Sequence, residues 1–278
     1  MSKQHTTRTL ASGFLFLEGP RWHDGELWMA EIGGAEVVAL TADGKRRTIV
    51  KVPNTPSGIG FLPDGTPLVV SVRDRKLLRI KGGALEVHAD LSDKSPFLND
   101  MVVDKQGRAY VGNFGFDVLK GEPAKPGSVI LVHPDGRVAV VAEDLKGPNG
   151  SVVTTDGRLV IAESFGGRLS SFSIKQDGTL GESTAIPLDG SPDGICLDTE
   201  GGIWVALFDK DRFVRVLNGN VVETVETAGR HAIACQLGGA DGRTLFCLTY
   251  QGALEDMGKA PSAQVEVTTV EAPAAGSP

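Results

Sequence analysis

The sequence contains only three cysteines, Cys196, Cys235 and Cys247. Their odd number argues against a complete disulfide framework, and none of them lies in the C-x-x-C spacing typical of metal sites. All three stand within short apolar segments, where a free cysteine packs as a small apolar side chain. We therefore expect three buried thiols in a cytoplasmic protein.

The chain also lacks an excess of basic residues. Its formal net charge is −7 and its isoelectric point is near 5.3. A protein that binds a phosphate backbone needs a basic face. Nucleic acid is therefore not an expected partner.

Long apolar runs are absent as well. No segment approaches the ~20 apolar residues that a membrane-spanning helix needs, and the first ten residues, MSKQHTTRTL, lack the apolar core of a signal peptide. We expect no membrane partner and a cytoplasmic location. The remaining expectation is a monomer or small homo-oligomer that acts on a small molecule.

The sequence shows no helical periodicity. Instead, a strand-forming sequence pattern is repeated six times. Each copy is a glycine-containing turn, a short apolar strand, a polar break and a second strand. The turn glycines are 40, 42, 50, 44 and 41 residues apart, namely Gly25, Gly65, Gly107, Gly157, Gly201 and Gly242. A period in the forties built from strands indicates a radial β-repeat. The sequence therefore predicts an all-β, six-bladed β-propeller with a central channel, formed by residues 1–278 as a single domain.

Two segments depart from the regular repeat. The step of 50 residues contains a Pro- and Gly-rich stretch at residues 119–127, which we interpret as a loop between strands of the third blade. A propeller must also join its first and last blades, because an open ring would expose strand edges. Residues 6–10 or the strand near Val265 are expected to provide that closure.

The repeat places polar residues at one shared position. Eight residues before five of the glycines, and seven before Gly25, stand the register residues: Glu18, Ser57, Asn99, Asn149, Asp193 and Ala234. Equivalent positions of a closed radial repeat meet near its axis, so four hard oxygen donors, Glu18, Asn99, Asn149 and Asp193, should converge there. Such a set suits Ca²⁺ or Mg²⁺ better than a metal that prefers sulfur or imidazole ligands. The alternative is that the Asn-Gly and Asp-Gly pairs among them only form turns.

Several phrases together resemble the family of gluconolactonase, regucalcin (senescence marker protein) and luciferin-regenerating enzyme. They are EGPRW, LNDMVVDKQGRAYVGNFG, PGSVILVHPDGRV, GPNGSVVTTDGRLVIAESFGGRLSSFSI, SPDGICLDTEGGIWVAL and ACQLGGADGRTLF, and they span nearly the whole chain. The resemblance implies a six-bladed propeller with one divalent cation in its central channel. It implies Glu18, Asn149 and Asp193 as ligands, with Asn99 approaching the metal or the substrate. Ca²⁺ is the first expectation, with Mg²⁺, Mn²⁺ and Zn²⁺ as alternatives.

One position departs from the family pattern. Sugar-lactonase members often carry an arginine two residues before this asparagine, in an R-x-N-D phrase, whereas here the residue is Phe97. The substrate-facing surface should therefore be more apolar, with Phe97, Phe114, Phe116 and Phe165 as candidate wall residues. Core packing is the alternative interpretation of each phenylalanine.

The family activities imply hydrolysis of a lactone. A cation held by three or four protein oxygens polarises the carbonyl, and water is the expected nucleophile. Asp193 is the candidate general base and Asn99 the second candidate catalytic residue, while Phe97, Phe114 and His231 are candidate substrate-binding residues. Two alternatives stay open: hydrolysis of organophosphate triesters, and a metal-stabilised binding propeller without turnover.

Overall fold

The computed structural model describes residues 2–276, which are built almost entirely of β-strands arranged in six sheets. The first two strands are β1 (Lys3–His5) and β2 (Arg8–Phe14). Blade 1 contains β3 (Leu17–His23), β4 (Glu26–Glu31), β5 (Glu36–Thr41) and β6 (Arg46–Lys51). Blade 2 contains β7 (Pro56–Phe61), β8 (Pro67–Ser71), β9 (Lys76–Lys81) and β10 (Ala84–Asp90). Blade 3 contains β11 (Phe97–Val103), β12 (Ala109–Phe114), β13 (Gly127–Val132) and β14 (Val138–Leu145).

The second half of the chain repeats this arrangement. Blade 4 contains β15 (Pro148–Val153), β16 (Arg158–Glu163), β17 (Arg168–Ile174) and β18 (Leu180–Pro187). Blade 5 contains β19 (Pro192–Leu197), β20 (Ile203–Leu207), β21 (Arg212–Leu217) and β22 (Asn220–Glu226). Blade 6 contains β23 (His231–Gly238), β24 (Thr244–Tyr250) and β25 (Ala263–Thr269). The first strand of each blade is the inner strand, and inner strands of consecutive blades contact one another around the axis.

The inner and second strands of each blade pair antiparallel because a tight turn connects them. The six turn glycines have φ between +71° and +82°. This left-handed conformation favours glycine, because a Cβ atom strains the backbone there. The spacing of the glycines thus corresponds to one tight turn between the inner and second strand of every blade.

The apolar core is divided among the interfaces between blades. Six buried clusters occur, and each joins two consecutive blades. The cluster between blades 6 and 1 packs Phe14 of β2 and Phe246 of β24 against Leu27 of β4, so side-chain packing closes the ring. A blade alone leaves both faces exposed, and burial of this apolar area stabilises the closed ring. The prediction of a six-bladed all-β propeller is confirmed.

Closure uses both of the segments that the sequence suggested. Strand β2 pairs antiparallel with β25 as the outer strand of blade 6, with Ala11 opposite Val265. A further contact was not predicted: β1 pairs parallel with β22 and adds a fifth strand to blade 5. The first residues of the chain therefore hold together blades that lie at its opposite end.

The long step in the repeat is a loop between β12 and β13 of blade 3, as expected. Three short 3₁₀ turns are the helical elements of residues 2–276: Val118–Lys120, Phe208–Lys210 and Leu254–Asp256. Within the same residues, no helix has the length and hydropathy that a membrane crossing requires. The three cysteines are free and buried.

A buried carboxylate stabilises the turn after the second strand in two blades. Glu31 accepts hydrogen bonds from the backbone N–H groups of Leu15, Phe16 and Gly34. In blade 4 the equivalent residue is Glu163, which has no exposed surface. Burial alone would raise the pKa of Glu163, but hydrogen bonds from Arg168, Ser170 and the Lys146 N–H outweigh it and lower the pKa. Its ionised form therefore stabilises the fold.

Candidate metal and substrate site

Every inner strand is irregular at or directly beside its register residue. Pairing with the second strand shifts over short segments, namely 18–21, 56–59, 98–101, 148–151, 192–195 and 232–234. Each segment includes the register residue of its blade. A β-bulge bends the strand and redirects a side chain, which is why bulges are frequent beside active sites. The repeat thus places a strand irregularity at or beside the register residue of every blade.

A glycine follows the register residue in four of the six blades: Gly19, Gly58, Gly150 and Gly194. A Cβ atom on Gly150 would lie 2.6 Å from the backbone oxygen of Asp193, and one on Gly194 would lie 2.2 Å from the Cβ of Ala234. Neighbouring inner strands therefore approach more closely than a side chain permits. This close approach narrows the channel at the level of the register residues.

In blade 3 the position after the register residue is Asp100 rather than glycine. Asp100 is buried, and Oδ1 accepts a hydrogen bond of 2.7 Å from the Met101 N–H. The nearest cation is Arg21, with Nη2 3.7 Å from Asp100 Oδ1. Arg21 also donates to the carbonyls of Pro20 and Met101. Asp100 and Arg21 are not among the residues expected from the sequence, although a charged residue at a glycine position of the repeat is the signal that marks Asp100.

The two register asparagines are held by their amide nitrogens. Asn99 Nδ2 donates to the carbonyl of Pro148 at 3.2 Å, and Asn149 Nδ2 donates to Ser164 Oγ at 3.1 Å. Ser164 Oγ in turn donates to the carbonyl of Pro192 at 2.7 Å. Because the nitrogen is used in each case, the other end of the amide is the oxygen Oδ1. The amide oxygen of each asparagine is thus the atom that remains as a candidate ligand.

Burial and nearby negative charge affect the carboxyl groups of both Glu18 and Asp193. Burial raises the pKa of Glu18 well above its usual range, and the charges of Asp193 and Asp100 raise it further. Burial and the charge of Asp100 likewise raise the pKa of Asp193, against a smaller opposing effect of the Asn149 side chain. Glu18 belongs to blade 1 and Asp193 to blade 5, so the effect of the Asp193 charge on Glu18 indicates that the two side chains approach each other across the ring.

These residues fit a divalent cation. Asp193 Oδ1 is buried and has no hydrogen-bond partner among residues 2–276, a state that normally costs free energy unless another group compensates. Arg21 is the cation that faces Asp100. No group of three or more His, Cys, Asp or Glu side chains arranged for a metal occurs in the described part of the chain, and two of the four candidate donors are asparagines. A set of oxygen donors alone suits Ca²⁺ or Mg²⁺.

The four phenylalanines singled out in the sequence form one aromatic cluster. Phe97 and Phe114 stack with ring centroids 6.0 Å apart, and Phe114 lies 6.1 Å from Phe116. Phe165 contacts Phe114 and Phe116 at 5.6 and 6.0 Å. Phe97, Phe114 and Phe116 are less than 10 % exposed and belong to the core between blades 2 and 3. Phe165 differs, because 54 % of it is exposed.

His231 is half-buried and fixed by its neighbours. Its Nδ1 lies 2.9 Å from Asp211 Oδ1, and its ring stacks on Phe208 at 4.6 Å. The backbone N–H of Phe208 donates to the carbonyl of Ser191, two residues before Asp193. His231 is thus held beside the segment that carries a candidate ligand. Of the other two register residues, Ser57 and Ala234, both are short and buried.

Comparison with known proteins identifies the family of the chain. The model of the SMP-30/gluconolactonase/LRE-like region matches residues 16–251. The chain belongs to this family.

Three similar proteins illustrate the range of the family. The putative sugar lactone lactonase YvrE of Bacillus subtilis is 22 % identical over 249 residues, which are 84 % of this chain and 82 % of that protein. The solved structure of a calcium-binding protein, regucalcin, from Agrobacterium tumefaciens superimposes with a TM-score of 0.84 at 22 % identity and covers 100 % of this chain and 99 % of that one. A gluconolactonase from Xanthomonas campestris superimposes with a TM-score of 0.78 at 20 % identity and covers 95 % and 90 %. At these identities the solved structures support the fold of this family member.

Proposed function

We propose that this family member is a divalent-metal-dependent lactonase, a hydrolase that opens a cyclic ester by attack of water on the carbonyl carbon. The observation that carries the proposal is the buried Asp193 Oδ1, which has no hydrogen-bond partner within residues 2–276. The charge of Asp193 raises the pKa of Glu18, and the anchored amide nitrogens of Asn99 and Asn149 leave their amide oxygens as candidate ligands. Relatives named as a sugar lactone lactonase and a gluconolactonase support the reaction class. A neighbour named as a calcium-binding protein supports Ca²⁺ as the cation.

In this proposal Glu18, Asn149 and Asp193 hold the cation, and Asn99 borders it. When bound, the cation supplies Lewis-acid polarisation of the lactone carbonyl. The protein contributes the other steps. Asp193 has two carboxylate oxygens and accepts the proton of the attacking water through one of them. Asn99, anchored on the Pro148 carbonyl, presents its amide oxygen beside the reacting groups.

His231 contributes a polar contact to the substrate at the mouth of the channel. Its Nδ1 is engaged by Asp211, so Nε2 is the ring nitrogen that remains for a substrate oxygen. Stacking on Phe208 restricts rotation of the imidazole. Binding to a restrained side chain loses less conformational entropy than binding to a free one.

A panel of lactones tests the function. EDTA-treated protein is assayed for acid release from aldonic, aliphatic and aromatic lactones, alone and with Ca²⁺, Mg²⁺, Mn²⁺ or Zn²⁺. We expect hydrolysis that depends on the cation and is lost in Asp193→Ala. The matched control is Asp135→Ala, which changes an exposed aspartate in a turn of blade 3.

Other outcomes would contradict the proposal. Full activity of Asp193→Ala would remove the assigned base and ligand. Hydrolysis of a phosphotriester but of no lactone would support the organophosphate alternative. Stabilisation by a cation without hydrolysis of any ester would support a binding propeller of the kind that the calcium-binding neighbour suggests.

A further inference from the structure

A single phenylalanine ring of the aromatic cluster reaches the solvent. Phe165 follows Ser164 in the turn between β16 and β17, and 54 % of it is exposed. One side of the ring packs on Phe114 and Phe116. The other large apolar side chains that the structure describes as exposed are valines, Val87, Val118, Val140 and Val221. Phe165 therefore presents an aromatic surface that the fold itself does not cover.

The position of this ring is tied to both candidate asparagine ligands. A Cβ atom on Gly147 would lie 2.5 Å from Phe165 Cδ2, so the ring rests directly on the backbone before β15. The next residue, Pro148, accepts the hydrogen bond of Asn99, and Ser164 accepts that of Asn149. The ring thus stands between the two blades that supply the asparagines.

The ring is also held in place. Its neighbours Phe114 and Phe116 are less than 10 % exposed and belong to the packed core between blades 2 and 3. A rigid aromatic surface binds an apolar group with little loss of conformational entropy. Hydroxyl groups placed against such a surface would lose hydrogen bonds to water without replacement.

We propose that Phe165 determines substrate specificity, and that the preferred substrates are lactones with an alkyl or aryl substituent that lies on its exposed ring. This inference rests on the lactonase function proposed above. It shifts the apolar wall from Phe97, whose ring is buried, to Phe165. The contact is remote from the reacting carbonyl, so it should stabilise the bound substrate and the transition state equally.

Kinetics of Phe165→Ala and Phe165→Leu test the proposal. For a γ-lactone with a six-carbon side chain, Phe165→Ala should raise KM about tenfold at nearly unchanged kcat, which corresponds to about 1.4 kcal/mol. Phe165→Leu keeps an apolar surface and should raise KM less than about threefold. Neither variant should change KM for unsubstituted γ-butyrolactone. Val87→Ala, which alters an exposed apolar residue on the outer strand of blade 2, is the control.

A binding measurement separates this inference from the proposed reaction. The lactam with the same six-carbon side chain keeps the ring and the substituent but resists hydrolysis. Calorimetry should show about tenfold weaker binding of this lactam to Phe165→Ala than to the unchanged protein. The role of Phe165 would be overturned if Phe165→Ala bound the lactam as tightly as the original protein, or if it had the same KM for the substituted lactone. A strong preference of the original protein for gluconolactone would overturn it as well. If no lactone is hydrolysed, the reaction proposal fails, and lactam binding alone decides the role of Phe165.

Discussion

Replacement of Asp193 by asparagine should have opposite effects on the metal-free and the cation-bound protein. In the metal-free state Asp193 Oδ1 is buried without a partner among the described residues, and Asp193 shares the channel with the charges of Glu18 and Asp100. Asparagine has the same shape without the charge. Asp193→Asn should therefore relieve repulsion in the metal-free protein and weaken cation binding.

The expected magnitudes follow from burial and mass action. An unpaired buried charge costs more than the about 1–3 kcal/mol of an unpaired neutral group, so removal of the charge should gain on the order of 1–3 kcal/mol. A chain of this size changes its melting temperature by roughly 2–4 °C per kcal/mol. Metal-free Asp193→Asn should thus melt about 2–12 °C above the unchanged protein. A cation at about one hundred times its dissociation constant stabilises the unchanged protein by about 2.7 kcal/mol, or roughly 5–10 °C. This second increase should disappear in the variant.

Scanning calorimetry of EDTA-treated protein, before and after addition of CaCl₂, MgCl₂ or MnCl₂, measures both effects in one series. Asp135→Asn, in an exposed turn, should retain the cation-induced increase and the original metal-free melting temperature. A cation-induced increase that persists in Asp193→Asn would refute the ligand assignment. A metal-free variant that melts several degrees lower would refute the argument from uncompensated charge.

Three further outcomes follow from packing and charge. The lowered pKa of Glu163 contributes stability that is fully present above the pKa of the unfolded chain, near ~4.3, and is lost as pH falls through the pKa of the folded protein. Glu163→Gln should therefore lower the melting temperature at pH ~7 and weaken the fall of the melting temperature below pH ~5. Parallel plots of melting temperature against pH for the two proteins would contradict this. Gly194→Ala should destabilise by about 1–3 kcal/mol in urea unfolding, Ala234→Gly should partly restore stability, and strict additivity would count against the contact. His231→Gln should raise KM for lactones about three- to tenfold, whereas an unchanged KM would exclude a substrate contact.

The sequence was sufficient to predict the blades and the position of the register residues. Both depend on local chemistry that repeats: a glycine with positive φ in each turn and, a fixed distance before it, a bulge in each inner strand. A spacing between two local features can be counted along the chain. The roles of Glu18, Asn99, Asn149 and Asp193 as ligands remain predictions.

Exposure of the phenylalanines could not be predicted in the same way. Phe97 and Phe165 both stand near the channel mouth by their place in the repeat, yet Phe97 is 9 % exposed and Phe165 is 54 % exposed. The difference arises from contacts between segments far apart in the chain, since Phe114 covers Phe97 and Gly147 supports Phe165. Composition and residue spacing do not indicate which of the two rings is exposed to solvent.

Asp100 stands out when the six repeats of the sequence are aligned with one another. In four blades the residue after the register position must be glycine, because the next inner strand leaves no room for a Cβ atom. Blade 3 places a carboxylate there and neutralises part of its charge with Arg21 from blade 1. The Asp100 side chain needs space that the other blades do not have at this position. Gly58 provides the space, because it has no Cβ atom next to Asp100 Oδ1. Of the two blades without glycine at this position, blade 3 is the one that adds negative charge, and this charge raises the pKa of both Glu18 and Asp193.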